Sequence, residues 1–264
     1  IFILKWGMFG AALATSLGYI VGAVMILAYL FHPERILHVC RVKLSKKSLY
    51  LTIRNVGYMC RLGFSSFLCE TAIATMMFVG NYVFIRYLGE DGVAAYSIAC
   101  YFFPIVFMVY NAIAQSAQPI LSYNYGAKCT ARVRETFRLA LTTAILCGAG
   151  VFLLTWIFSH QIVGMFLDSS YPAYNIAVKG LPLFASGFVF FGINIVSIGY
   201  FQSLERDCPA MIITLLRGFA LILLCFWILP IIWGSWGIWL AVPMSELLTF
   251  LFVLVIYWLE NRRN

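Results

Sequence analysis

Seven stretches of this chain are each long and apolar enough to cross a lipid bilayer, and nothing else restricts its fold as severely. They are Gly10–Phe31, Arg61–Tyr87, Val93–Gln115, Arg138–Phe158, Ala173–Gly199, Ala210–Leu229 and Gly237–Leu259. A helical crossing needs about 20 mostly apolar residues, because each advances about 1.5 Å through a hydrocarbon core about 30 Å thick. Strands of a membrane barrel would be about ten residues long and alternate in polarity. These runs do neither. Composition agrees, with 63% of the 264 residues hydrophobic and 11% charged. A soluble domain carries about 25% charged residues to cover its surface. The expectation is an all-α integral membrane protein, which excludes a soluble enzyme, a nucleic-acid binder and a disordered chain.

Cys40, Cys60, Cys69, Cys100, Cys129, Cys147, Cys208 and Cys225 show no C-x-x-C and no regular spacing. They predict neither a disulfide framework nor a zinc site. The formal charge of +8 has a membrane explanation. Thirteen of the 18 Lys and Arg fall on alternate connections: Arg35 to Arg54, Lys128 to Arg138, Arg206, and Arg262 with Arg263. The opposite connections hold Lys5, Arg86, Glu90, Asp91 and Asp168. By the positive-inside rule the basic loops and the C-terminus are cytoplasmic in a multi-pass protein of the plasma membrane. Membrane lipid is therefore an expected partner, and nucleic acid is not.

A repeat organises the runs. Trp6-Gly7-x-x-Gly10-x-x-Leu13-Ala14 returns 227 residues later as Trp233-Gly234-x-x-Gly237-x-x-Leu240-Ala241. Both copies open helices of the same direction, and both helices exit into charge, at His32-Pro33-Glu34-Arg35 and Glu260-Asn261-Arg262-Arg263. Parallel repeats of this kind place substrate sites between two halves near the midplane. The first run then closes one unit and the other six form a second, which puts about 190 further residues ahead of Ile1. The opening Ile1-Phe2-Ile3-Leu4-Lys5, without initiator Met or leader pattern, reads as a chain already in progress.

The most specific motif is Ala114-Gln115-Ser116-Ala117-Gln118-Pro119, followed by Tyr123-Asn124-Tyr125-Gly126-Ala127-Lys128 and Arg132-Val133. Gly10-Ala11-Ala12-Leu13-Ala14-Thr15, Gly199-Tyr200-Phe201-Gln202, Leu216-Arg217 and Gly237-Ile238-Trp239-Leu240-Ala241 accompany it. Together they resemble the multidrug and toxin extrusion (MATE) transporters along essentially the whole chain. The resemblance implies the second six-helix lobe of a twelve-helix, two-lobed MATE-type transporter plus the last helix of the first lobe. Residues 1–31 would be that last helix, 32–56 a cytoplasmic inter-lobe loop and 57–264 the C-terminal six-helix lobe. The missing N-terminal lobe would be its partner. The resemblance also implies a secondary active antiporter, not an enzyme, that exports lipophilic organic cations and drugs in exchange for protons or sodium without a cofactor. No H-E-x-x-H, G-x-S-x-G or phosphate-cradling loop is present to suggest otherwise. Two other readings stay open. A flippase for lipid-linked oligosaccharides has a related fold but would need cationic groups, for which Arg61, Lys179 and Arg217 are candidates. A seven-helix receptor is suggested by the bare count of runs.

Ionisable groups inside the runs cost free energy unless paired or wetted, so each is a candidate. Glu70 lies too deep in its run for a short side chain to reach outside water, and a carboxylate there can trade a proton for a cation. The resemblance matches it to a helix-7 glutamate in the cation site of one MATE branch, and makes it a candidate sodium ligand. That branch adds a helix-10 aspartate; the comparable position here is near Phe191, and Asn194 is the nearest polar group. Glu246, deep in the last run, completes the coupling-ion set; its counterpart in the repeat is Tyr19. Arg217 and Lys179 are accounted for by snorkelling to the interface. Asn81, Tyr101, Phe107, Tyr110, Asn111 and Gln115 are candidates for a substrate cleft suited to lipophilic cations. Pro104, Pro182 and Pro243 are expected to kink their helices.

Overall fold

The computed structural model describes residues 2–31 and 45–263. Every regular element among the described residues is helical, as hydrocarbon demands of a backbone that must satisfy its own hydrogen bonds. The elements are α1 (Phe2–Leu30), α2 (Lys46–Gly126), α3 (Thr130–Ile157), α4 (Ser159–Gly164), α5 (Pro172–Ala185), α6 (Phe188–Ser203), α7 (Asp207–Leu215), a π-helical segment Leu216–Ala220 and α8 (Leu221–Arg263). They form two compact units, Ile1–Gly57 and Tyr58–Asn264. The first holds α1 and the opening turns of α2. The second holds the rest. Of the 32–56 connection, 32–44 lie outside the described residues, while the chain from Lys46 onward is helical.

Among the described residues four helices are long and apolar enough to cross a membrane, and the pair α5–α6, bent by 41°, is so when taken as one span. Two of the four are too long for one passage. Phe67–Gly126 has 60 residues and Asp207–Leu259 has 53, roughly 90 and 80 Å if straight. Both are broken at a glycine. Gly89 (φ 68°, ψ −158°) and Gly234 (φ 56°, ψ −132°) occupy backbone space that side chains with a Cβ avoid. The chain reverses there. Tyr96 Oη donates to the Met76 carbonyl at 3.3 Å across 20 residues, which a straight helix would hold roughly 30 Å apart. Arg217 likewise reaches Glu246 at 2.7 Å across 29 residues. Divided at these reversals, the described residues give seven apolar helical segments, α5–α6 taken as one. Gly7 has φ 54° and ψ −132°, so both Trp-Gly copies of the repeat share one helix-breaking conformation.

Helix ends differ from the apolar runs. The second helix begins at Lys46 rather than Arg61 and the next ends at Gly126 rather than Gln115, because helical hydrogen bonding continues beyond the hydrocarbon. The proline expectation holds in part. The α5–α6 bend follows Pro182, where Ser186 Oγ donates to the Leu183 carbonyl at 2.6 Å. At Pro104 and Pro243 the backbone keeps helical dihedrals, and the breaks in α2 and α8 fall on glycines.

The interior of the second unit is a column of aromatic rings. Phe84 stacks on Tyr96 at 4.3 Å, Trp239 meets Phe84 edge-on at 4.8 Å, and Phe103 lies 4.7 Å from Phe191. Small residues let the backbones approach: the Trp239 ring lies over Gly180 of α5. Tyr110 is fully buried, and its Oη donates to the Phe188 carbonyl at 2.8 Å. It is a strut between α2 and α6, not the cleft residue expected from sequence. Tyr110→Phe should cost about 1 kcal/mol, read as a lower thermal midpoint of the purified protein in mild detergent. An unchanged midpoint would mean the bond contributes nothing.

A polar cavity and a buried charge pair

A cavity of about 810 Å³ opens between α2, α6 and α7. Its walls follow from helical periodicity. Phe107, Asn111, Gln115, Gln118 and Ser122 recur at three or four residues and so share one stripe of α2. Ile195, Ile198, Gly199 and Gln202 do the same on α6. From Phe107 to Ser122 is about 22 Å along the helix axis, so the cavity runs from the middle of that limb to its end. Gln118 Nε2 donates to Gln202 Oε1 at 3.3 Å and Ser122 Oγ to the Ser203 carbonyl at 3.1 Å, tying the two stripes together. The charged lining is Glu70 and Asp207, with no Lys, Arg or His among the described lining residues. The cavity is therefore electronegative.

Glu70 is exposed to this cavity. The expectation of a carboxylate cut off from water is corrected, because the space between it and the polar stripe of α2 is not filled by side chains. It makes no ion pair or hydrogen bond with another described residue. Of the six cleft candidates, Phe107, Asn111 and Gln115 line the cavity. Tyr110 belongs to the core. Tyr101 is exposed and stacks on Phe166 at 6.2 Å, while Asn81 Nδ2 donates to the Met77 carbonyl at 2.9 Å; neither lines the cavity. Lys179 is exposed in a separate pocket beside Trp236 and Trp239, as snorkelling requires.

Arg217 departs from its expectation. It is 5% exposed and Glu246 4%. Arg217 Nε donates to Glu246 Oε1 at 2.7 Å, and Asn194 Nδ2 donates to Oε2 at 2.8 Å and to the Glu246 carbonyl at 2.9 Å. The guanidinium also lies 4.4 Å over the Phe191 ring. Snorkelling fails here because an inward carboxylate and an aromatic face hold the head group more strongly than the distant interface can. The π-helical turn Leu216–Ala220 that carries Arg217 shifts the helix register by a residue, a distortion often found at functional sites. Asn194 and Glu246 are thus in contact with each other, and Glu246 with Arg217, while Glu70 faces the cavity without a bond to them. Among the described residues no group of three His, Cys, Asp or Glu gathers as metal ligands.

Gln118, Ser122, Gln202 and Asp207 line the cavity but were not among the sequence candidates. The signal for the first two was present: Asn111, Gln115, Gln118 and Ser122 are polar positions at helical spacing in an otherwise apolar limb. Asp207 lies outside every apolar run and could not be found that way.

A family model described as MatE matches residues 66–227. The chain is 20% identical over 254 residues to the Multidrug export protein MepA of Staphylococcus saprophyticus, covering 96% of this chain and 54% of MepA. It is 26% identical over 243 residues to the Probable multidrug resistance protein NorM of Rhizobium meliloti, covering 88% of this chain and 50% of NorM. The chain spans about half the length of the curated relatives it matches. An outward-facing multidrug resistance MATE family transporter of the MOP superfamily superposes with a TM-score of 0.81 at 20% identity, over 97% of this chain and 58% of its own. A MOP superfamily transporter from Pyrococcus furiosus superposes with a TM-score of 0.81 at 20% identity, over 97% of this chain and 57% of its own. These likenesses establish an all-α membrane fold. Members of the matched family are transporters and not enzymes, and the seven-helix receptor reading falls with them. With that model covering more than half of its residues, the chain belongs to the MatE family.

Proposed function

We propose that the chain forms part of a secondary active antiporter of the plasma membrane that exports lipophilic organic cations in exchange for protons or sodium. Its basic loops and C-terminus lie on the cytoplasmic side in this reading. The observation that carries it is the electronegative cavity, where Glu70 lines the same open space as Phe107, Asn111 and Gln115. An aromatic face and amide oxygens accept a bulky cation without demanding one shape, and the carboxylate supplies the balancing charge. The likeness to MepA, a multidrug export protein, and NorM, a probable multidrug resistance protein, supports drugs as cargo.

Coupling ion and cargo then compete for Glu70. A proton or sodium bound there expels the cation, and its departure readmits one. Such a ligand drives a change of access only by binding the two arrangements unequally. Asn194 and Glu246 act differently, because Arg217 already neutralises the buried carboxylate. They hold α6, the π-helical turn and the last limb of α8 in one arrangement. A flippase for lipid-linked oligosaccharides would want cations for phosphate, whereas the charged lining of this cavity is acidic.

Efflux of a fluorescent organic cation from cells, with sodium and proton gradients imposed separately, tests the proposal. Glu70→Gln is expected to lower ion-coupled efflux at least about tenfold. Undiminished efflux at normal expression would defeat the assignment.

A further inference from the structure

A second large cavity, about 830 Å³, lies at the bundle end where α2 gives way to α3 and α6 to α7. Lys128, Arg134 and Arg206 line it, with Phe137, Tyr200 and Tyr257 as a ring wall. Phe137 lies 4.2 Å from Tyr200 and 5.6 Å from Tyr257, and Tyr200 lies 5.7 Å from Tyr257. No acidic side chain is among the described lining residues; Glu135 and Glu205, chain neighbours of the two arginines, are not part of it. Lys128 and Arg134 are exposed, and neither has an ion pair with another described residue. The 28-residue α3 starts at Thr130 on the same wall with no side-chain cap on its first turn, so its amide end adds positive potential. No residue lines both this cavity and the acidic one.

We infer that this cavity binds the phosphate of an anionic phospholipid headgroup from the leaflet on the basic side of the membrane. The sign of the cavity selects an anion. Its apolar ring wall, with Trp258 53% exposed and also lining it, suits the glycerol and first acyl carbons that a lipid brings and free phosphate lacks. Its place, on the basic connections and among interfacial aromatic rings, is the depth at which headgroups lie. Basic pockets between membrane helices hold phosphorylated headgroups by this combination.

The test uses the purified protein, expressed from its whole reading frame, in uncharged detergent. Phosphatidylglycerol, phosphatidylcholine and inorganic phosphate are titrated separately, with the thermal midpoint and native mass spectrometry as readouts. Phosphatidylglycerol is expected to bind and raise the midpoint, while phosphatidylcholine and millimolar phosphate leave it unchanged. K128Q/R134Q should weaken phosphatidylglycerol binding at least about tenfold. K179Q, an exposed charge in a different pocket, should leave it unaltered. Equal response to both lipids, a shift reproduced by phosphate alone, or wild-type binding by K128Q/R134Q would each overturn the inference. If the double variant does not fold, R134Q alone is expected to bind about fivefold more weakly, and unchanged binding overturns the inference equally.

Discussion

Arg217→Met is expected to destabilise the protein by about 3–5 kcal/mol. The reason is asymmetric. Arg217 and Glu246 are 5% and 4% exposed, and bond at 2.7 Å. Removing the guanidinium strands a buried carboxylate whose remaining described donor is the Asn194 amide. Removing both charges strands nothing, and replacing a buried pair by apolar residues of similar volume is often neutral. Arg217→Met/Glu246→Leu should therefore recover most of the loss. Unfolding midpoints of the three proteins in one detergent check this. A single variant as stable as the parent would mean the pair does not persist in the folded protein.

Gly180→Val is the second large effect, at about 3 kcal/mol. A Cβ at this position would collide with the Trp239 ring. That ring cannot swing away, because it is 4% exposed and wedged edge-on against Phe84 at 4.8 Å and Tyr96 at 6.5 Å. Trp239→Ala alone should cost about 3–5 kcal/mol by leaving a cavity. The double variant should be no worse than Trp239→Ala, because valine then fills space instead of colliding, and contacting sites are not additive. A double variant whose loss equals the sum of both singles would sink the packing argument.

Much of the cavity wall was legible as a polar stripe, yet Tyr110 shows why a stripe is not enough. It stands about 100° around the helix from Asn111. That rotation takes it from the cavity to the Phe188 carbonyl. Phe107 and Gln115, with the same aromatic or amide chemistry as the rejected Tyr101 and Asn81, do line the cavity. Residue type named the candidates, and only the neighbouring helix sorted them. Glu70 was singled out from its place along an apolar run, but its access to open space depended on what α6 and α7 leave unfilled.

The sequence by itself determined that the chain lives in a membrane as seven helices, since lipid leaves an apolar segment almost no alternative to helix. The repeated Trp-Gly pair includes one of the helix-reversing glycines, Gly234, but the reversal itself is visible only in its backbone angles. Tertiary structure alone decided that Arg217 turns inward, that it meets Glu246 across 29 residues and that Asn194 meets Glu246 across 52. Hydropathy reports the free energy of a segment in lipid. Pairing of charges depends on which segment lies beside it, and that is fixed by the reversal at Gly234 and the π-helical turn.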